Sequence, residues 1–79
     1  QERQMRQQRR QLEQQHRQLA KEYAGLKEQV KLMQQRRHLS SGEMVEVQTL
    51  QRMKLHRKDA LQNLQAKLAE IDRNLAARP

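Results

Sequence analysis

Leu39-Ser40-Ser41-Gly42-Glu43 decides the fold, because the apolar positions on its two sides mirror each other about Ser40. Before it, a seam runs through Met5, Arg9, Leu12, His16, Leu19, Tyr23, Leu26, Val30 and Met33. After it, a second seam runs through Val47, Leu50, Lys54, Arg57, Leu61, Leu64, Leu68, Ile71 and Leu75. Taken from the inside outward, Met33 meets Val47, Val30 meets Leu50, and so on to Met5 with Leu75. The two numbers in every pair add to 80. Steps of four and three residues mark a coiled-coil seam, and the mirror is what two helices lying antiparallel require.

The boundary signals converge on the same stretch. Ser40-Ser41-Gly42-Glu43 fits the S-x-x-E capping box, with Ser40 as N-cap and Glu43 reaching back from the third helical position. Glu43 and Glu46 favour the positive end of a helix that starts here, and Arg36, Arg37 and His38 lie where a preceding helix would end and welcome cations. The spacing predicts a first helix over 1–38, a turn over 39–42 and a second helix over 43–77. Residues 1–18 are rich in Gln and Arg, have only Met5 and Leu12 as apolar anchors, and read as a solvated, fraying end. Glu2 with Arg6 and Glu13 with Arg17 each add about 0.2–0.5 kcal/mol of helix stability. Gly25 interrupts good helix formers at a cost of about 1 kcal/mol and points either to a bend or to a close helix contact.

A continuous helix is the alternative, assembled as a long parallel dimer. The repeat at 5, 12, 19, 26 and 33 extends to Ser40 and Val47 without changing step, but its companion positions reverse order near Val47. Two Ser and one Gly in mid-helix would also cost roughly 2 kcal/mol per chain. Folding back turns the reversal into the mirror and the poor helix formers into the connection, so the expectation is an all-α coiled-coil hairpin, or the antiparallel dimer that is its swapped equivalent. The hairpin register sets Arg9 against Ile71 with Asp72 close by, His16 against Leu64 and Leu26 against Lys54. It sets Tyr23 against Arg57 at a distance suited to a cation–π contact. Arg9, His16, Lys54 and Arg57 are thus expected to fix register. Leu12, Leu19, Tyr23, Leu26, Val30, Met33, Val47, Leu50, Leu61, Leu64, Leu68, Ile71 and Leu75 are expected to form the interface, to self or to a partner.

Composition sets the class. Of 79 residues 34% are hydrophobic and one is aromatic, too little for a core of ordinary size. A third are charged, and mean hydropathy is −1.27. Disorder competes on those figures, but disordered chains lack a sustained periodic seam. With no cysteine there is neither a disulfide framework nor a thiolate metal site. No apolar run approaches the roughly 18 residues of a membrane span, and a chain that starts at Gln1 reads as a piece of something longer. The net charge of +8 divides unevenly: ten cationic residues against four acidic ones in 1–38, or +6, and seven against five in 39–79, or +2.

Catalysis needs groups converging in a concave pocket, which a helical rod does not offer. His16, His38 and His56 are not spaced for a shared metal, and no Gly-rich phosphate loop occurs. No enzyme, metal or cofactor is expected. A basic antiparallel arm could hold a nucleic-acid backbone, but Tyr23 is the sole aromatic, and the charge reads as spread along the chain rather than striped, with Arg9 and Arg10 on different faces. Membrane-surface binding lacks its wide apolar face. Leu32, Leu39, Met44, Val45, Met53 and Leu55 lie off the seam near the turn, where they either close the hairpin end or form a second contact surface.

In outline, two helices with a tight return resemble the antiparallel coiled-coil finger of Rho-binding repeats. The resemblance is one of architecture and transfers no residue; it implies a small GTPase among the partners. The expectation is therefore a non-catalytic interaction module of a larger intracellular, cytoplasmic protein. Its work would be self-association, most simply as a dimer, or docking of a helical partner.

Overall fold

Ser40 places the start of the second helix. Its backbone is extended (φ −66°, ψ 164°), its hydroxyl accepts from the Glu43 amide at 3.1 Å, and its own amide donates to Glu43 Oε1 at 3.1 Å. Both halves of the capping box are made, so two amides that the helix itself leaves unpartnered are satisfied. In this computed structural model, which describes residues 1–77, the chain forms two helices, α1 (Glu2–Gln34) and α2 (Ser41–Ala76), and no strand among the described residues. Arg78 and Pro79 lie outside the described residues.

The two helices pack against each other as an antiparallel hairpin measuring 61 × 16 × 15 Å. A helix of 36 residues at 1.5 Å per residue is about 54 Å long, so the long dimension is set by the length of one helix and the narrow cross-section by two helices packed side by side. The continuous helix is thereby overturned for this chain. Three polar contacts between the helices give the register: Arg9 with Asp72, His16 with Gln65 and Arg57 with Glu22. Each falls one residue from the mirror about Ser40, as side chains flanking a seam should.

The connection occupies 35–40, beginning four residues earlier than the sequence suggests. Gln35 caps α1 in an ordinary right-handed conformation (φ −78°, ψ −13°), and the Arg36 amide reaches only to the Met33 carbonyl, a tightened last turn. No glycine in a left-handed conformation ends this helix. Arg36, Arg37 and His38 consequently lie beyond it; the cation in the last turn is Lys31. Helix formers alone could not extend α1 to 38, because the chain must cross to α2 before Ser40 begins the next cap.

Helix α1 is formed from Glu2 onward, so its Gln- and Arg-rich start is helical. It is tied down at Arg9, which bonds Asp72 on α2 at 2.7 Å and Glu13 one turn ahead. Gly25 lies within regular helix, and a Cβ there would meet nothing within 4 Å. A close helix contact is therefore not its reason.

Candidate interaction surfaces

The seam accounts for the buried apolar residues. Leu26, Val30, Leu64 and Ile71 are enclosed, Val30 most deeply at 2% exposure. Leu12, Leu19, Tyr23, Met33, Val47, Leu50, Leu61, Leu68 and Leu75 are half-buried, as are Arg9, His16, Lys54 and Arg57. All thirteen expected interface positions thus lie along the line where the chain's own two helices meet. A two-helix seam has no third layer to seal it, which is why most of them stay partly open.

The polar seam residues divide by partner. Arg9 donates to Asp72 and Glu13, and the hydrogen bond to Asp72, followed by the two nearby carboxylate charges, raises its pKa further above an already high value. Arg57 donates from Nε to Glu22 Oε2 at 2.9 Å, so its guanidinium is bound by the carboxylate one residue before Tyr23, the expected ring partner. His16 approaches the Gln65 amide at 3.4 Å. Glu13 goes to Arg9, not to Arg17. Half-exposed pairs such as Arg57–Glu22 contribute about 0.2–1 kcal/mol, so they select register more than they supply stability.

At the turn, the Glu43 carboxylate also takes a hydrogen bond from Arg36. Its bond from the Ser40 amide, then the Ser40 side chain, then Arg36, together hold its pKa below the ordinary 4.5 despite some desolvation. Leu39 is half-buried, whereas Leu32, Met44, Val45, Met53 and Leu55 remain exposed.

These exposed apolar residues do not form one patch. Two adjoining hollows that share Gln29 make a groove along one flank of the hairpin, with Leu32, 56% exposed, in one and Met53, 39% exposed, in the other. Gly25, Gln29 and Leu32 of α1, with Arg36 just beyond its end, line one side, and Glu46, Leu50, Met53 and Arg57 of α2 line the other, over Leu26 and Met33. Both rows advance by four, three and four residues, the spacing with which a helix meets another helix. The Arg57–Glu22 pair closes one end, and Arg36 and Glu46 flank the other. Gly25 leaves the groove wall open where a side chain would narrow it. The sequence carried half of this signal: the off-seam apolar residues were visible, but which of them face each other was not.

Among the described residues, no group of three or more His, Cys, Asp or Glu could hold a metal ion, and no helix is long and apolar enough to cross a membrane. Compared with known proteins, the chain matches no family model, no curated protein and no solved structure.

Proposed function

We propose that this hairpin is a non-catalytic coiled-coil interaction module of a larger intracellular protein, whose flank groove receives a helix from a second copy or from another protein. The observation that supports it is the groove itself: two rows at helix-packing spacing, with Leu32 and Met53 left in solvent beside a floor of Leu26 and Met33. A lone hairpin buries one narrow stripe and gains from any third helix that covers its edge. A helix offering apolar residues at i, i+3 or i+4 and i+7 fits the distance along α2 from Glu46 to Arg57, about 16 Å at 1.5 Å per residue.

Site-specific photo-crosslinking in the full-length protein tests this reading. A photoreactive residue at position 32 should capture a polypeptide, and one at exposed position 63, on α2 beyond the Arg57 end of the groove, should not. Leu32→Lys combined with Met53→Lys should suppress capture from a probe at position 29 while leaving helical content unchanged, because both side chains are exposed. Equal capture from 32 and 63, or none from 32, would refute the proposal.

A further inference from the structure

The +8 charge is not distributed evenly over the folded surface. Four arginines are engaged by carboxylates: Arg6 by Glu2, Arg9 by Asp72 and Glu13, Arg36 by Glu43 and Arg57 by Glu22. On α1, Arg3, Arg10, Arg17, Lys21, Lys27 and Lys31 are exposed and form no ion pair among the described residues. Arg3, Arg10, Arg17 and Lys31 share one seven-residue row, with Ala24 at the remaining position, and Lys21 and Lys27 lie on the rows beside it. The row is on the side of α1 opposite the seam. Glu28 is the one carboxylate on these rows that no cation engages among the described residues. The outer face of α2 differs: Arg52 and Arg73 have Asp59 between them on their row, while Lys58 and Lys67 fall on other rows.

We propose that the outer face of α1 binds the phosphate backbone of double-stranded nucleic acid without regard to sequence. The stripe runs about 42 Å from Arg3 to Lys31, with its cations held on a straight helix. Its densest part, Arg3 to Arg17, covers about 21 Å. A duplex carries one negative charge per about 1.7 Å of axis, so a line of cations laid along or across it meets phosphates in either orientation. Guanidinium groups bind phosphate oxygens in bidentate fashion, and the three arginines here have no competing carboxylate.

Two other anionic surfaces fit less well. An anionic bilayer is held most firmly when charge and apolar side chains share a face. Here the exposed Val45 and Leu55 belong to α2, and no apolar residue larger than Ala stands among the six cations. Single strands are bound by stacking, but the sole aromatic, Tyr23, is half-buried on the seam. The groove beside Leu32 takes no part, so this inference stands apart from the proposed helix docking.

Fluorescence anisotropy with two labelled 30-base-pair duplexes of unrelated sequence, across a salt series, tests it on the full chain. Equal affinity for both is expected, falling steeply with salt by about 0.9 in the log–log slope for each phosphate contact. Arg3→Gln/Arg10→Gln/Arg17→Gln should lower affinity at least tenfold and flatten the slope by about 2–3. Arg52→Gln/Lys58→Gln/Lys67→Gln removes the same charge from α2 and should change affinity less than threefold. Circular dichroism should show both variants as helical as the parent. Equal losses in the two variants would overturn the proposal, as would failure of the parent to bind either duplex at low salt. Tighter binding to phosphatidylserine vesicles than to the duplexes, at matched salt and charge concentration, would also overturn it.

Discussion

Ser40 and Glu43 show how much of the architecture rests on single side chains. The reciprocal bonds at 3.1 Å begin α2 at one defined residue and so set which positions of the second seam face the first. Ser40→Ala should cost about 1 kcal/mol, within the 0.5–2 range for lost N-caps, and thermal denaturation should show a drop of roughly 4–8 °C. Glu43 adds a pH dependence of known sign. Because its folded-state pKa is depressed, its contribution is complete above the ordinary 4.5 and is lost as pH falls through the folded value. The stability difference between the parent and Glu43→Gln should therefore be constant above pH 5 and shrink below 4.5; a difference that grows on acidification would contradict this. Gly25 is the converse case, a residue that no contact demands. With open space where a methyl would stand, Gly25→Ala should raise stability by about 0.5–1 kcal/mol in urea denaturation. If the groove reading is right, that methyl should also weaken capture at position 32.

At the scale of the helices, the seam was readable in the sequence because its signal is periodic and repeated. Fourteen apolar positions on a mirror about Ser40 outvote the four interruptions at Arg9, His16, Lys54 and Arg57, and all eighteen are at least half-buried. The end of α1 was not readable in the same way. Gln35, Arg36, Arg37 and His38 carry no Gly, Pro or capping signal, and what stops the helix at Gln34 is the need to cross to α2, a tertiary constraint. The partner of Arg57 was missed because Glu22 and Tyr23 are adjacent, so one register brings both near and a charged acceptor offers the stronger bond. The basic row on α1 was missed for another reason: Arg9 and Arg10 draw the eye as neighbours, whereas the informative spacing is seven, from Arg3 to Arg10 to Arg17. Burial predicts a clear contrast between two leucines of α2. Leu64→Ala should destabilise by about 2–3 kcal/mol, at the low end for core leucines because a single-layer seam can partly relax. Leu55→Ala, at a site 54% exposed, should stay within about 0.5 kcal/mol of the parent by the same denaturation assay.

The dimensions of the whole molecule separate the hairpin from every competing arrangement of the same sequence. The folded chain has a Cα radius of gyration of 17.8 Å and is 61 Å long. An unbroken helix of the same length would be about 115 Å long, with a radius of gyration near 33 Å, and so would an antiparallel pair of such helices making the same seam contacts. The unfolded chain would be close to 27 Å. These values are far enough apart for small-angle X-ray scattering to distinguish them on dilute protein, where groove-mediated association is suppressed. The expected radius of gyration is about 18–20 Å once side chains and hydration are included. Spin labels at 12 and 68, on facing turns, should be about 10 Å apart in doubly labelled chains diluted into unlabelled protein, since packed helices lie 8–10 Å axis to axis. The dilution matters because a swapped pair would bring label 12 of one chain to label 68 of another; excess unlabelled protein removes that signal and leaves only the distance within one chain. A radius of gyration near 33 Å, or an intrachain distance of several tens of ångströms, would mean that the helices unfold from the hairpin at Ser40 and exchange between chains. The mirror symmetry of the seam would then describe an intermolecular contact.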